Sequence, residues 1–192
     1  MDRIAHSLTV ALGERDQPTR QHVERVVLLA AELGTRIGLS HHELGLLTIG
    51  AECHDLGKIG IPDRILRKPA AFEDDERECM KQHAVIGERI ILAMGTEHSA
   101  GIAAVVRHHH ENFDGSGYPD GLQGGDIPLF SRIISLTDNY DAMTCARPYH
   151  PGRPHREVMD ILHRDVGIKH DPDLLHAFCA AIEKSPMRAP AA

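Results

Sequence analysis

Residues 40–60 read SHHELGLLTIGAECHDLGKIG, and this stretch predicts one complete helix with a polar pair at its end. Ser40 followed by Glu43 is a capping box, a side-chain pair that satisfies the free N–H groups at a helix start. Apolar residues then recur at helical spacing until two glycines end the pattern. His54 and Asp55 therefore lie where the helix finishes, and only there can two adjacent side chains reach one metal ion.

Helical periodicity extends over most of the chain, and strand alternation is nowhere sustained. Two further stretches repeat at steps of three and four: Val23, Val26, Ala30, Leu33 and Ile37, and Met80, His83, Gly87, Ile90 and Met94. We also expect a helix from about Leu129 to Ala146 and two short helices near the end, separated by Gly167 and Pro172. The predicted fold is all-α and compact.

Length and loop composition predict a single compact domain. A chain of 192 residues can bury enough apolar surface to fold without disulfides or a structural metal. We expect a lead-in over 1–15, the catalytic domain over 16–184 and a flexible tail over 185–192. A Gly-rich segment at 111–128 interrupts the helices, and a long loop of this kind inside a compact domain is usually functional.

Charge and composition exclude several classes of partner. A net charge of −7 offers no broad basic surface for a nucleic-acid polymer, although a small anion can still bind in a pocket. The four cysteines have no CxxC spacing, which argues against a zinc knuckle or a disulfide framework. No apolar run reaches the roughly 18 residues that a membrane span requires, and no signal peptide is recognisable. We therefore expect a cytoplasmic domain without a membrane partner.

Histidine is the unusual component, with 15 copies. A single histidine is most often a hydrogen-bonded or surface imidazole, and two acids on one helix can form a solvated face. In combination, however, imidazole and carboxylate are ligands for Zn, Mn or Fe, with open positions that admit water and phosphate. The histidines and acids considered as candidate metal-site residues are His22, His54, Asp55, His83, His108, His109, His110, Asp138 and Asp141.

Three strings carry a resemblance to a known family: HDLGKIGIPDRILRKP at 54–69, HHENFDGSGYPDGLQG at 109–124 and RIISLTDNYDAMTCARPY at 132–149. The order His, His-Asp, Asp along the chain resembles the HD superfamily of metal-dependent phosphohydrolases. The longer strings resemble its HD-GYP subfamily of cyclic di-GMP phosphodiesterases, over roughly residues 16–182.

The resemblance implies an enzyme that hydrolyses cyclic di-GMP to linear pGpG with a metal-activated water, with GMP as the product of a further hydrolysis. It implies two divalent ions, Fe or Mn, with Asp55 as the bridge between them. The implied ligands are His22, His54, Asp55, His83, His109, His110 and Asp138. His108 has no counterpart in the family pattern and is expected to be an ordinary helix residue.

The resemblance also implies residues that act on the substrate. Lys58 would contact phosphate and assist the leaving oxygen, Tyr118 would approach the substrate, and Arg147 would pair with a guanine edge or phosphate. Asp141 is grouped with these substrate-binding residues and is expected to support the site. Each has a structural alternative: an exposed lysine for Lys58, a loop anchor for Tyr118 and a cation at a helix end for Arg147.

Three positions depart from the family pattern. His150 replaces a basic residue that would contact phosphate, and Ala70 replaces a usual glycine. Pro18 stands where trinuclear members place a glutamate, four residues before the first histidine, which predicts two metals and not three.

Two alternatives for the function stay open. One is hydrolysis of another substrate, such as cyclic GMP-AMP or a simple nucleotide phosphate. The other is a catalytically silent sensor, which binds the dinucleotide or a diguanylate cyclase through the loop that carries Tyr118.

Overall fold

The computed structural model describes residues 2–15, 17–145 and 152–190, and in these ranges the chain is helical without a β-strand. The all-α prediction is confirmed. The helices of the described residues are α1 Asp2–Arg15, α2 Gln17–Arg36, α3 His41–Cys53, α4 Asp63–Leu66, α5 Asp74–Ala93, α6 Ser99–Arg107, α7 Leu129–Thr144, α8 His155–Arg164 and α9 Pro172–Ile182. Short 3-10 helices lie at Leu56–Gly60 and Gly124–Asp126.

The capping signals of the sequence appear at the predicted positions. The Ser40 N–H donates to the Glu43 carboxylate at 2.8 Å, and the Glu43 N–H donates to the Ser40 hydroxyl at 3.3 Å. Asp171 caps α9 by accepting from two backbone N–H groups, with Pro172 as the first helical residue. The helix predicted to end near Ala146 ends at Thr144, and Ala146 lies outside the described residues.

Two apolar clusters form the core, and α3 contributes to both. The larger cluster joins α2, α3, α7, α8 and α9, with Leu33, Tyr140 and Phe178 fully buried. The smaller one joins α1, α3, α5 and α6. Because both sides of α3 are packed, the residues that follow it, His54 and Asp55, start from a rigid support.

Helix α1 and the segment that follows α9 both pack against this core. Ala5 and Leu12 of α1 are buried. The sequence predicted a flexible tail over 185–192, but within 185–190 the Ala189 N–H donates to the Tyr140 hydroxyl at 3.0 Å and Pro190 accepts from the His155 N–H at 3.2 Å. Among the described helices, none combines the length and the apolar character needed to cross a membrane.

The 3-10 turn Leu56–Gly60 packs directly on α5, and Gly57 makes this possible. A Cβ added at Gly57 would lie 1.8 Å from the His83 carbonyl oxygen and 2.5 Å from the Gly87 amide nitrogen. Both atoms are backbone and cannot move without shifting α5. The absence of a side chain therefore brings the residues after α3 within reach of His83.

We expect Gly57→Ala to lower the free energy of unfolding by about 3 kcal/mol or more, because the turn must separate from α5. The control is Gly45→Ala, at an exposed position of α3 where a Cβ meets nothing within 4 Å. That change should stabilise by up to about 1 kcal/mol through helix propensity. Denaturant unfolding measures both, and equal effects of the two changes would contradict the packing described here.

Candidate metal centre

The structure brings all seven residues predicted as metal ligands to one place. They come from α2 (His22), the end of α3 (His54, Asp55), α5 (His83), the segment after α6 (His109, His110) and α7 (Asp138). The ligands fall into two groups, and within each group the donor atoms lie within 4.8 Å of one another. The first group is His22, His54 and Asp55; the second is His83, His109 and His110. The ring centroids of His54 and His109, one from each group, are 5.2 Å apart, so the two groups adjoin.

Asp55 faces both groups. Its Oδ2 lies 3.4 Å from His54 Nε2, and its Oδ1 lies 3.6 Å from His83 Nε2. Asp138 lies beside the first group, with Oδ1 3.0 Å from His22 Nε2. The position of Asp55 between the groups is the one that a bridging carboxylate requires.

Backbone hydrogen bonds fix the orientation of three imidazoles. The Nδ1 atoms of His54, His83 and His109 lie 2.7, 2.7 and 2.6 Å from the carbonyl oxygens of the residues three positions earlier. A carbonyl oxygen only accepts, so each Nδ1 carries the hydrogen, and each ring in its neutral form presents a lone pair at Nε2. The Nε2 atoms of His83 and His109 lie 3.3 Å apart, and two neutral rings of this tautomer have no hydrogen to share between them. His54 Nε2 is buried without a hydrogen-bond partner. Metal-ligating histidines are held in this way, so the residues fit a divalent cation.

Burial favours the neutral form of His83, His109 and His110. It lowers the pKa of His109 well below its usual value and that of His110 to about 3, with repulsion from neighbouring imidazoles adding to the effect. Burial also raises the pKa of Asp55, but the neighbouring Lys58 ammonium is the main opposing cause, and that pKa stays well below its ordinary value. The centre therefore offers His83, His109 and His110 as neutral imidazoles and Asp55 as an ionised carboxylate at neutral pH, the forms that bind metal.

His22 is held differently, by carboxylates. Its Nδ1 lies 2.6 Å from Asp141 Oδ2, and its Nε2 faces Asp138. Burial lowers the pKa of His22, but hydrogen bonds to the two carboxylates outweigh burial and raise the pKa to about 9. The two carboxylates therefore favour a positive charge at His22, carried by the protonated ring or by a cation bound to it.

Asp141, which the sequence grouped with the substrate-binding residues as a support of the site, contacts His22 and Arg25. Its carboxylate is buried, and Arg25 donates to it through Nε at 2.6 Å and Nη2 at 3.1 Å. With His22 on Oδ2 as well, both oxygens are engaged within the protein. In this arrangement Asp141 orients His22, and Arg25 holds Asp141. The sequence reasoning missed Arg25, although its position one helical turn after His22 was an available signal.

Two of the residues predicted to meet the substrate, Lys58 and Tyr118, lie at the rim of the centre. Lys58 donates from Nζ to Asp55 Oδ2 at 2.6 Å and stays partly exposed. The Tyr118 ring stacks on His110 with centroids 4.9 Å apart. Arg147 and His150 lie outside the described residues.

A second polar cluster anchors the loop that carries Tyr118. Glu111 accepts from the N–H groups of Asp120 at 2.8 Å and Gly121 at 3.1 Å. Arg107 donates to both oxygens of Asp120, and His108 Nε2 lies 2.9 Å from Oδ2. His108, Glu111 and Asp120 are close enough to hold a metal, but Arg107 already neutralises Asp120. His108 is thus a loop anchor, where the sequence predicted an ordinary helix residue.

Comparison with known families agrees with this centre. The model of the HD domain family matches residues 7–174. The chain belongs to the HD domain family. The resemblance found in the sequence strings is confirmed.

Named relatives of this HD domain are phosphodiesterases. The chain is 38% identical over 164 residues to a cyclic di-GMP phosphodiesterase of Thermotoga maritima, covering 85% of the chain and 45% of that protein. It is 36% identical over 163 residues to a 3′3′-cGAMP-specific phosphodiesterase of Vibrio cholerae, covering 85% of the chain and 37% of that protein. The chain thus spans less than half the length of either relative.

The fold of the HD domain also matches a solved structure. The crystal structure of a cyclic GMP-AMP specific phosphodiesterase of V. cholerae superposes with a TM-score of 0.71 at 20% identity. The match covers 96% of this chain and 49% of that one. At this identity the likeness establishes the helical architecture.

We expect Asp141→Asn to weaken metal affinity about 10–100-fold, because an amide no longer supplies a charged acceptor for His22 and Arg25. The matched control is Asp160→Asn, at an exposed position of α8. Titration of the metal-free domain with Mn²⁺ by calorimetry measures both. If Asp141→Asn bound Mn²⁺ as tightly as the control, Asp141 would have no role in orienting His22.

Proposed function

We propose that this HD domain hydrolyses a cyclic dinucleotide, with cyclic di-GMP as the first candidate. The observation that carries the proposal is the convergence of the buried Nε2 atoms of His54 and His83 on the carboxylate of Asp55, at 3.4 and 3.6 Å, beside a partly exposed lysine. In a histidine cluster with only a structural role, each buried ring nitrogen should have a hydrogen-bond partner, whereas the buried Nε2 of His54 has none.

We infer two cation sites that share Asp55. His22, His54 and Asp138 would hold one divalent ion, and His83, His109 and His110 would hold the other. Nitrogen and oxygen donors without a thiolate suit Zn, Mn or Fe, and the family resemblance favours Fe or Mn among these. When bound, such ions lower the pKa of water and stabilise negative charge on phosphate oxygens.

Lys58 is the residue of this chain best placed to act on the reacting phosphate. Its ammonium lies beside Asp55 and is open to solvent on one side. It can bind a phosphate oxygen and supply a proton to the leaving 3′-oxygen. Because its charge also lowers the pKa of Asp55, it keeps the proposed bridging carboxylate ionised.

Tyr118 and Arg147 are proposed to bind the rest of the substrate. Tyr118 stacks on His110, so its ring sits at the rim, where a purine or the sugar-phosphate backbone would pass. Arg147 follows Cys145 closely after the helix that carries Asp138, and its planar guanidinium suits a guanine edge or a phosphate.

A diguanylate cyclase partner, if the domain binds one through the loop that carries Tyr118, would meet the exposed outer residues of that loop, Asp114 and Ser116.

A hydrolysis panel tests the proposal. Domain loaded anaerobically with Fe²⁺ or with Mn²⁺ is incubated with cyclic di-GMP, 3′3′-cGAMP and cyclic di-AMP, and the products are separated by chromatography. We expect linear pGpG from cyclic di-GMP. Faster cleavage of 3′3′-cGAMP, the named substrate of the Vibrio relative, would instead favour that substrate. Tight binding with no turnover in either metal form would favour the sensor alternative and contradict an enzyme.

We expect two metal ions per chain in the loaded domain, and Asp55→Ala should lose most of them while it keeps its helical content. A shared carboxylate holds both ions, whereas the apolar clusters that fold the helices do not include it. Elemental analysis gives the ratio, circular dichroism gives the helicity, and the exposed Asp160→Ala is the control. Three ions per chain, or full metal content in Asp55→Ala, would contradict this assignment.

We expect Lys58→Ala to keep its metal and to lose at least tenfold in kcat, because the ammonium stabilises charge that develops as the phosphodiester breaks. Lys184→Ala, at an exposed position after α9, is the control and should behave as the wild type. Steady-state kinetics and elemental analysis are measured on the same samples. Loss of metal together with activity would make Lys58 a support of the cation sites only.

A further inference from the structure

Arg15, the last residue of α1, spans the turn that follows Lys58. Its Nη1 donates to the carbonyl oxygens of Lys58, at 3.3 Å, and of Ile59. Its Nη2 donates to the Ile61 carbonyl at 2.6 Å and to Asp63 Oδ1 at 2.7 Å, and its Nε donates to the same oxygen at 3.1 Å. One guanidinium thus binds three carbonyls and one carboxylate, a use for which its planar set of five N–H donors is suited.

These carbonyls belong to a segment that has few bonds of its own. The 3-10 turn Leu56–Gly60 has five residues, and its backbone hydrogen bonds include Lys58 N–H to Asp55 and Ile61 N–H to Lys58. Carbonyls at the end of a helical turn lack partners and carry partial negative charge, so a cation there stabilises the turn. Without Arg15, the Ile59 and Ile61 carbonyls would lose the donor that the structure gives them.

The end of α1 is itself held in place. Arg67, just after α4, donates from Nη2 to the Arg15 carbonyl at 2.8 Å. The Arg15 side chain is only 26% exposed. The ion pair with Asp63, whose side chain is 62% exposed, contributes little by comparison. The contacts to the carbonyls are therefore the part of this arrangement that orders the backbone.

We propose that Arg15 is a positioning residue that acts through Lys58. By fixing the backbone from Lys58 to Ile61, it keeps the Lys58 ammonium beside Asp55, 2.6 Å from Oδ2. The sequence placed Arg15 in the lead-in segment 1–15, outside the catalytic domain. Helix α1 is thereby linked to the site, so a displacement of α1 would displace the lysine. Of the two tests below, only the activity measurement depends on the proposed function.

A double-mutant cycle tests whether Arg15 acts through Lys58. Arg15→Ala should lower kcat/KM about tenfold in the wild-type background and less than twofold in Lys58→Ala, because the residue through which it acts is gone. Metal content should stay unchanged in all variants. Arg89→Ala, at an exposed position of α5, is the matched control. A tenfold loss in both backgrounds, or no loss in either, would overturn the proposal.

Hydrogen exchange gives a second measurement that needs no substrate. In Arg15→Ala the peptide covering 56–67 should exchange at least tenfold faster than in the wild type, while peptides of α7 and α9 and the Arg89→Ala control stay unchanged. Unchanged exchange over 56–67 would overturn the proposal. If the wild-type domain hydrolyses no cyclic dinucleotide, the proposed function fails, and the exchange comparison alone decides whether Arg15 orders this turn.

Discussion

The centre depends on one repeated interaction: an imidazole Nδ1–H that donates to the carbonyl three residues earlier. His54, His83 and His109 all make it. Each bond fixes a ring orientation and a tautomer together, so the Nε2 lone pairs converge without any further side chain to direct them. Burial lowers the pKa of His83 and His109, and the Lys58 ammonium lowers the pKa of Asp55. Ring orientation and charge thus both depend on tightly packed helices, at the ends of α3 and α6 and within α5.

The fold supplies the rigidity that such a centre requires. Helix α3 is shared by both apolar clusters, and Gly57 lets the following turn approach the α5 backbone closely. Ligands on packed helices are held more precisely than ligands on loops. Tyr118 lies on a long loop, and that loop has its own anchors: Glu111 binds the backbone of the loop, and Arg107 binds the carboxylate of Asp120.

The sequence predicted the helices and the seven proposed ligands because their signals are local. Apolar spacing shows a helix within a short window, and the His-Asp strings are contiguous. The supporting contacts were missed because they join residues far apart in the chain: Arg15 and Asp63 are 48 positions apart, and Arg25 and Asp141 are 116 apart. Asp141 was assigned to the substrate for the same reason, since only the fold shows that Arg25 and His22 occupy both of its oxygens.

The tautomers of the histidines are the most direct test of this account. Nitrogen-15 NMR of the metal-free, histidine-labelled domain at neutral pH reports which ring nitrogen carries the hydrogen. We predict that His54, His83 and His109 carry a hydrogen at Nδ1 and that His83 and His109 are neutral, with Nε2 unprotonated before any metal is added. Absence of the hydrogen from Nδ1, or protonation of His83 or His109 at Nε2, would contradict a centre that the packed helices prepare in advance for metal.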